Sequence, residues 1–306
     1  YAIYRTEGVE IFGGRVSRNF GILNEYSSIF SNNPYPFDHL GFSLERNKLK
    51  FSFYFSRLNN LNEGIDLQGV VIENELTADG DTILNIVDTK RYFAIQRLDF
   101  KLSNNFQAAL SASTVYGGPN QSFEFEYLNP MNIYYASQRN SRIQMNNLYQ
   151  LNLLYKNNLG LAFYIDFLVD DIIVNNEEGY KGSDYKDNRF ALLVKFSKTN
   201  LLFDKSLFFL SYARIWNETY LSYRNFENYI FFNKSIGYPF NSYQSIKFSF
   251  TNFSFEDFFN SIVLNLYHKG NNEISSNEFF NESIQEFPLE QVEKGAQIDI
   301  DMKYIG

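Results

Sequence analysis

The sequence predicts an all-β fold, an antiparallel transmembrane β-barrel of the outer-membrane type, and three observations lead there. Segments of about ten residues alternate large apolar side chains with small or polar ones, the length of a tilted strand crossing a bilayer. Aromatic residues are abundant, with 33 Phe and 23 Tyr against one Trp, which suits girdles at the two membrane interfaces. No stretch approaches the 18 or so uninterrupted apolar residues of a transmembrane helix, and mean hydropathy is slightly negative. A barrel escapes a hydropathy scan because its inner residues cancel its outer ones. The competing fold is a soluble β-sandwich, which also alternates but uses shorter strands.

Taken in order, Lys48–Arg57 sets Leu49, Phe51, Phe53 and Phe55 against Lys48, Lys50, Ser52, Tyr54 and Ser56. Between Phe106 and Val115, Phe106, Ala108, Leu110 and Ala112 alternate with Gln107, Ala109, Ser111 and Ser113. The cleanest segment is Leu159–Asp170, where Leu159, Leu161, Phe163, Ile165, Phe167 and Val169 face one way. Gly160, Ala162, Tyr164, Asp166 and Asp170 face the other, with Leu168 as the single exception. Arg189–Ser197 places Phe190, Leu192, Val194 and Phe196 opposite Arg189, Lys195 and Ser197. Weaker segments lie near Leu207–Trp216, Ile246–Thr251 and Ile262–Lys269. Last, Ile298, Ile300, Met302 and Tyr304 alternate with Gln297, Asp299, Asp301 and Lys303. The count comes to about 12 to 18 strands.

Polar, Asn-rich inserts separate them: Asn59–Gly64, Glu73–Asp81, Asn175–Asn188 and Gly270–Gln285. Such inserts suit the outer rim of a barrel, with short turns such as Lys156-Asn157-Asn158 at the other end. Six Pro and no Gly/Ser linker leave nothing that divides residues 1–306, so one domain is expected. The chain starts at Tyr1 without a charged-then-apolar leader, and a mature or trimmed segment is therefore expected, with the barrel continuing past Gly306. The absence of Cys fits export without disulfides, and a net charge of −8 argues against nucleic acid as a partner.

The catalytic inventory is thin. The two histidines are His39 and His268. Asp38 and His39 point opposite ways on an extended chain, which weakens a Ser-His-acid triad built on His39. His268, beside Lys269 and Gly270, reads as interfacial. No G-x-S-x-G, no metal-spaced His pair and no phosphate-binding glycine loop occurs. Acidic pairs Asp170-Asp171 and Glu177-Glu178 lack the spacing of a calcium loop and read as a solvated rim. Asp299 and Asp301 are expected to line the lumen and pair with Arg97, Lys101 or Lys195. No enzymatic activity, cofactor or metal is expected. Tyr, Phe, Asn, Gln and Asp together suit carbohydrate, since rings stack on sugar faces while amides and carboxylates take the hydroxyls. An open transport channel lined by Lys50, Arg97, Asp99, Lys101, Asp166, Lys195, Asp299 and Asp301 is the alternative.

Three groups of residues carry a family resemblance. The first is Gly14-Arg15-x4-Phe20-Gly21 followed by Ser31-Asn32-Asn33-Pro34-x-Pro36-Phe37. The second is Val115-Tyr116-Gly117-Gly118, then Glu126-Tyr127-Leu128-Asn129-Pro130, Tyr134-Tyr135 and Gln138-x-Asn140. The third is Asn146-Asn147-Leu148 with Asp166-x3-Asp170-Asp171. In that order, over about residues 10–175, they resemble the capsule-assembly Wzi family of outer-membrane barrels. Tyr223-Arg224 to Gly237-Tyr238-Pro239-Phe240 looks like a weaker continuation. Phe20 stands where the family usually has Trp, and Ile22 where Pro often follows the glycine. The resemblance implies a non-enzymatic barrel with an occluded lumen, set among outer-membrane lipid, that helps retain or assemble surface polysaccharide. It implies Arg15, Asn32, Asn33, Tyr116, Asn129, Gln138, Asn140, Asp166, Asp170 and Asp171 as lumen or polysaccharide-binding candidates. Among these, Arg15 is expected on the inner wall paired with lumen carboxylates. Asn32 and Asn33 are expected in a self-capping turn, and Asn129-Pro130 in a turn or an in-folded plug.

Overall fold

The computed structural model describes residues 1–23, 26–60, 75–76, 82–83, 89–119, 121–134, 136–137, 145–171, 188–222, 224–255, 258–270, 287–288 and 292–304. Thirteen strands form one antiparallel sheet in chain order, each paired with its sequence neighbour. They are β1 (Ala2–Thr6), β2 (Val9–Val16), β3 (Phe37–Arg46), β4 (Leu49–Arg57), β7 (Thr89–Lys101) and β8 (Phe106–Pro119). After them come β9 (Met145–Lys156), β10 (Leu161–Asp171), β11 (Arg189–Thr199), β12 (Ser206–Ile215), β15 (Tyr243–Phe255), β16 (Phe258–Lys269) and β17 (Glu293–Tyr304). Two short ribbons stand apart: β5 (Glu75–Leu76) with β6 (Thr82–Ile83), and β13 (Ile230–Phe231) with β14 (Lys234–Ser235). Wall strands of nine to fourteen residues predominate, which is bilayer length rather than sandwich length.

Connections alternate in length, as a barrel's two rims require. Short turns join β1–β2, β3–β4, β7–β8, β9–β10 and β11–β12, and long connections leave the opposite end. The tight ends use residues that tolerate left-handed backbone, with Asn47 at φ 56° and Gly160 at φ 75°. Most of the inserts read as rim loops (the later part of Asn59–Gly64, most of Glu73–Asp81, Asn175–Asn188 and Gly270–Gln285) lie outside the described residues.

Register fixes which side chains face out. Phe51 pairs with Leu98, Leu98 with Leu110, Leu110 with Leu151, and Leu151 with Phe167, so these share the outward face. Ile246, Leu264 and Ile298 continue it on the far strands through Leu266 and Phe248. Every alternation singled out in the sequence keeps its predicted phase. Leu110, Ile262, Ile298, Ile300 and Met302 stand 50–73% exposed, an outward apolar belt. On that scale a soluble fold would leave far too much apolar surface in water.

The hydrophobic core lies on the inner face. Tyr54, Phe93, Ile95, Val115, Leu148, Leu168, Ala191, Leu193, Ile215 and Tyr243 come from β4 through β15 yet join one buried cluster. The sheet therefore curls around what fills it. The filling is two long connections from one rim, residues 17–36 and 216–242, which contribute Ile29, Phe30, Tyr220, Leu221, Tyr229, Ile230 and Ile236. Each such burial is worth about 1.5–3 kcal/mol relative to exposure. Leu168, the exception on the polar face of its strand, is 0% exposed in this cluster. It is apolar because its neighbour is the plug rather than water.

Candidate functional site

The plug is held by buried polar residues of the wall. Asp166 on β10 accepts from the Ser28 backbone N–H at 3.1 Å, from the Ser28 hydroxyl, and from Gln150 Nε2 at 2.7 Å. Asp170, four residues on and on the same face, accepts from the Tyr220 N–H at 2.7 Å. Arg91 on β7 is fully buried and donates to three carbonyls of the second loop, Phe226, Asn228 and Ile230. Arg189 donates to Leu221 O at 2.7 Å and pairs with Glu218 at 3.2 Å. The two loops also grip each other: Tyr220 Oη donates to Ser28 O at 2.6 Å, and Ser31 N to Ile236 O at 2.9 Å. Burial pushes the Tyr220 and Tyr229 hydroxyls above the ordinary tyrosine value, so both remain neutral donors.

Beside the plug, between it and the inner faces of β11, β12, β15, β16 and β17, lies a cavity of about 510 Å³. Four rings project from the plug and the β15 end. Tyr26 meets Tyr238 edge-on at 5.9 Å, and Tyr243 packs on Phe240 at 5.0 Å and on Tyr238 at 5.8 Å. The wall opposite is polar. Asn265 pairs with Gln297 across β16–β17, and Lys247 with Ser211 across β12–β15. Gln297 Nε2 donates to both Asp299 oxygens, at 3.2 and 3.0 Å, and so fixes that carboxylate toward the cavity. Lys195 closes the floor, donating to Leu23 O at 2.5 Å with its ammonium 4.2 Å from the Phe209 ring. Rings on one side and amides, carboxylate and ammonium groups on the other can hold a neutral or charged polyol by stacking and hydrogen bonding.

The sequence-derived candidates scatter into three places. Asp166 and Asp170 are on the inner wall, but they anchor the plug. The turn is capped by Ser31, whose Oγ accepts from the Asn33 N–H at 3.1 Å, while Asn33 Nδ2 crosses to Ser235 O at 2.8 Å and Asn32 beside it is exposed. Arg15 is a correction. It pairs with Asp38 at 2.7 Å on the outward face, because the Gly14–His39 pair takes the inward position and leaves Arg15–Asp38 the other. Tyr116 and Asn129 are a second correction. Tyr116 is outward and wholly buried, stacked at 4.2 Å on Tyr127 of the connection after β8, and Asn129 lies in that same connection. That segment folds over the outside of the wall, so Asn129-Pro130 forms a turn but does not plug the lumen. Gln138 and Asn140 lie outside the described residues. Asp171 ends β10 opposite Arg189, past a bulge at Val169.

Two further expectations change. Asp299 and Asp301 do not pair with Arg97, Lys101 or Lys195. They find partners two residues away in their own strand, Gln297 and, at 3.0 Å, Lys303. Arg97 instead binds Asp99 and Asn152 on its own side of the barrel. His39 has both ring nitrogens occupied, Nε2 accepting from Arg18 at 2.7 Å and Nδ1 lying 3.0 Å from Phe37 O. It is a packing residue among Phe12, Phe30 and Tyr54. Lys247, Asn265, Tyr26 and Tyr243 were not singled out from the sequence, although the phase of Ile246, Phe248 and Phe250 already turns Lys247 inward.

A long antiparallel meander with an apolar outer belt and a core of in-turned loops defines an occluded β-barrel of the outer-membrane type. The chain belongs to the family described as capsule assembly protein Wzi, whose family model matches residues 1–182. Among solved structures it is similar to Escherichia coli Wzi, described as an outer-membrane protein involved in group 1 capsule assembly and a carbohydrate-binding β-barrel. The TM-score is 0.61 at 14% identity, over 97% of this chain and 60% of that one, a likeness of fold. This chain thus spans about 60% of that relative's length. The Pseudomonas putida toluene transporter TodX matches at TM-score 0.33 and 9% identity, over 86% of this chain and 74% of its own. The monoaromatic hydrocarbon channel CymD matches at 0.35 and 10%, over 99% and 80%. Both scores are too low to bear on function. No curated protein sequence matches the chain. Family and fold place it in the outer membrane.

Proposed function

We propose that this barrel binds capsular or exopolysaccharide without catalysis and so helps retain or assemble it at the cell surface. The observation that carries this reading is the inner cavity, where Tyr26, Tyr238 and Phe240 oppose Asn265, Gln297 and Asp299. A non-catalytic role fits a cavity whose carboxylate is already held by a neighbouring amide, and a histidine locked at both nitrogens. The relative in Escherichia coli is described as carbohydrate-binding, which is the same chemistry. The plug argues against the alternative of an open channel along β3–β12.

The test is equilibrium binding of purified full-length protein to polysaccharide fragments from its own cell surface. Asp299→Ala and Asn265→Ala each remove a hydroxyl partner without touching the plug. Each is expected to weaken binding by about tenfold, the cost of losing one or two hydrogen bonds. Absence of binding to any host polysaccharide, together with unchanged capsule retention on deletion, would overturn the proposal.

A further inference from the structure

The connection between β8 and β9 runs the opposite way from the two plug loops. Its residues 123–134 lie along the outward face of β4, β7, β8 and β9, where a barrel otherwise meets lipid. Phe123 packs edge-on against Phe55 at 5.2 Å and against Tyr92 at 6.0 Å. Tyr127 stacks on Tyr116, and Gln96 Nε2 donates to Asn132 O at 2.8 Å. Tyr127 and Tyr134 are thereby completely buried, along with the outward residues Phe53, Phe55, Tyr92 and Ala94. A second core sits outside the barrel wall.

The free edge of this shelf overhangs a groove of about 680 Å³. Its floor is outward wall, chiefly Leu98, Leu110, Leu151 and Phe167, and its lip is Met131 and Ile133. The lip residues are apolar yet 76% and 68% exposed. The floor is continuous with the apolar belt, since Leu110 and Leu151 remain 53% and 36% exposed. At β16 and β17 the belt carries Ile262 and Ile298, 50% and 65% exposed, outside the cover of this shelf.

We infer that this groove holds one acyl chain of a lipid from the surrounding bilayer. The groove opens within the hydrocarbon layer, so water has no route to favourable contacts there and an empty space forfeits dispersion energy on both sides. The only molecules the layer supplies to fill it are lipid chains. A chain lying between the wall and the shelf touches protein on two faces, whereas a chain against the open belt touches it on one. It is therefore held longer than its neighbours. The shelf acts as a clamp, with Gln96 and the Tyr116–Tyr127 stack fixing its height above the wall. None of this depends on what the inner cavity binds.

The experiment uses full-length protein in vesicles of phosphatidylethanolamine and phosphatidylglycerol doped with a phosphatidylethanolamine carrying a photoreactive diazirine in its acyl chain. After illumination, labelled residues are mapped by mass spectrometry. Labelling is expected to concentrate several-fold at Leu110, Leu151, Met131 and Ile133 relative to Ile262 and Ile298. Ala112→Phe, which fills the groove from its floor, is expected to abolish that excess while leaving belt labelling unchanged. Ile133→Ser, on the exposed lip, should reduce it even if the larger substitution disturbs folding. Even labelling of groove and belt, or an excess unaffected by Ile133→Ser, would overturn the inference.

Discussion

Asp166 shows what a single inner-wall carboxylate can do in this barrel. It is fully buried and accepts from two groups of Ser28 and one of Gln150. Replacing it with Ala strands the Ser28 N–H and hydroxyl inside the protein, while Gln150 Nε2 keeps Ser27 and Ser28 Oγ as acceptors. A stranded buried donor costs more than the bond was worth. Asp166→Ala is expected to destabilise the fold by about 2–4 kcal/mol, whereas Asp166→Asn, which keeps an acceptor oxygen, should cost less. Thermal unfolding of both variants in one detergent checks the order. Gly237 makes the same point sterically. A Cβ there would stand 2.3 Å from Ser28 O and 2.9 Å from the Tyr220 ring, where the two plug loops cross. Gly237→Ala should therefore cost about 1–3 kcal/mol by overpacking, read as a lower melting temperature. Sequence reasoning placed Asp166 on the correct face but gave it a lumen to line. The difference is the residue it meets, Ser28, 138 positions away, which no local pattern announces.

At the scale of the strand, phase was legible and position was not. In β4, β8, β10, β11 and β17 the alternation sorted outward from inward side chains, because lipid outside demands apolar residues at every second position. Arg15 shows the limit: without a partner strand its parity could not be set, and the pairing Gly14–His39 decides it. Strand β17 offers a clean test of the two faces, since Ile298 and Asp299 are adjacent and point opposite ways. Ile298→Arg puts a charge on the lipid face and is expected to cost up to about 2–4 kcal/mol, depending on depth. Asp299→Ala, on the inner face, should leave insertion into lipid vesicles unchanged. Folding yield in vesicles, read by protease protection, separates them. Equal losses for both would mean that the register of β17 is not the one described.

The whole molecule was half legible for a physical reason. A barrel wall has a two-residue period, but a loop that folds into it buries residues in no period at all. Residues 17–36 and 216–242 therefore offered no alternation to read and entered only through motifs of the family resemblance, although Ile29, Tyr220, Tyr229 and Ile236 are 0% exposed. The connection after β8 misled in the opposite sense, folding outward where an inward plug was one of the readings. Occlusion follows from the inner pair, and it can be tested without knowing any ligand. Full-length protein in planar bilayers should show no stable conductance steps. Arg91 holds the second loop through three of its carbonyls, so Arg91→Ala together with Asp170→Ala removes its main polar anchors on β7 and β10. The loop keeps its apolar contacts, about 1.5–3 kcal/mol for each buried side chain, so it should loosen rather than leave. Intermittent openings are the expected signature, appearing in the double variant and absent from the parent. Steady channels in the parent would favour transport, and silence in both would mean that the apolar contacts and the Arg189 anchor suffice to seat the plug.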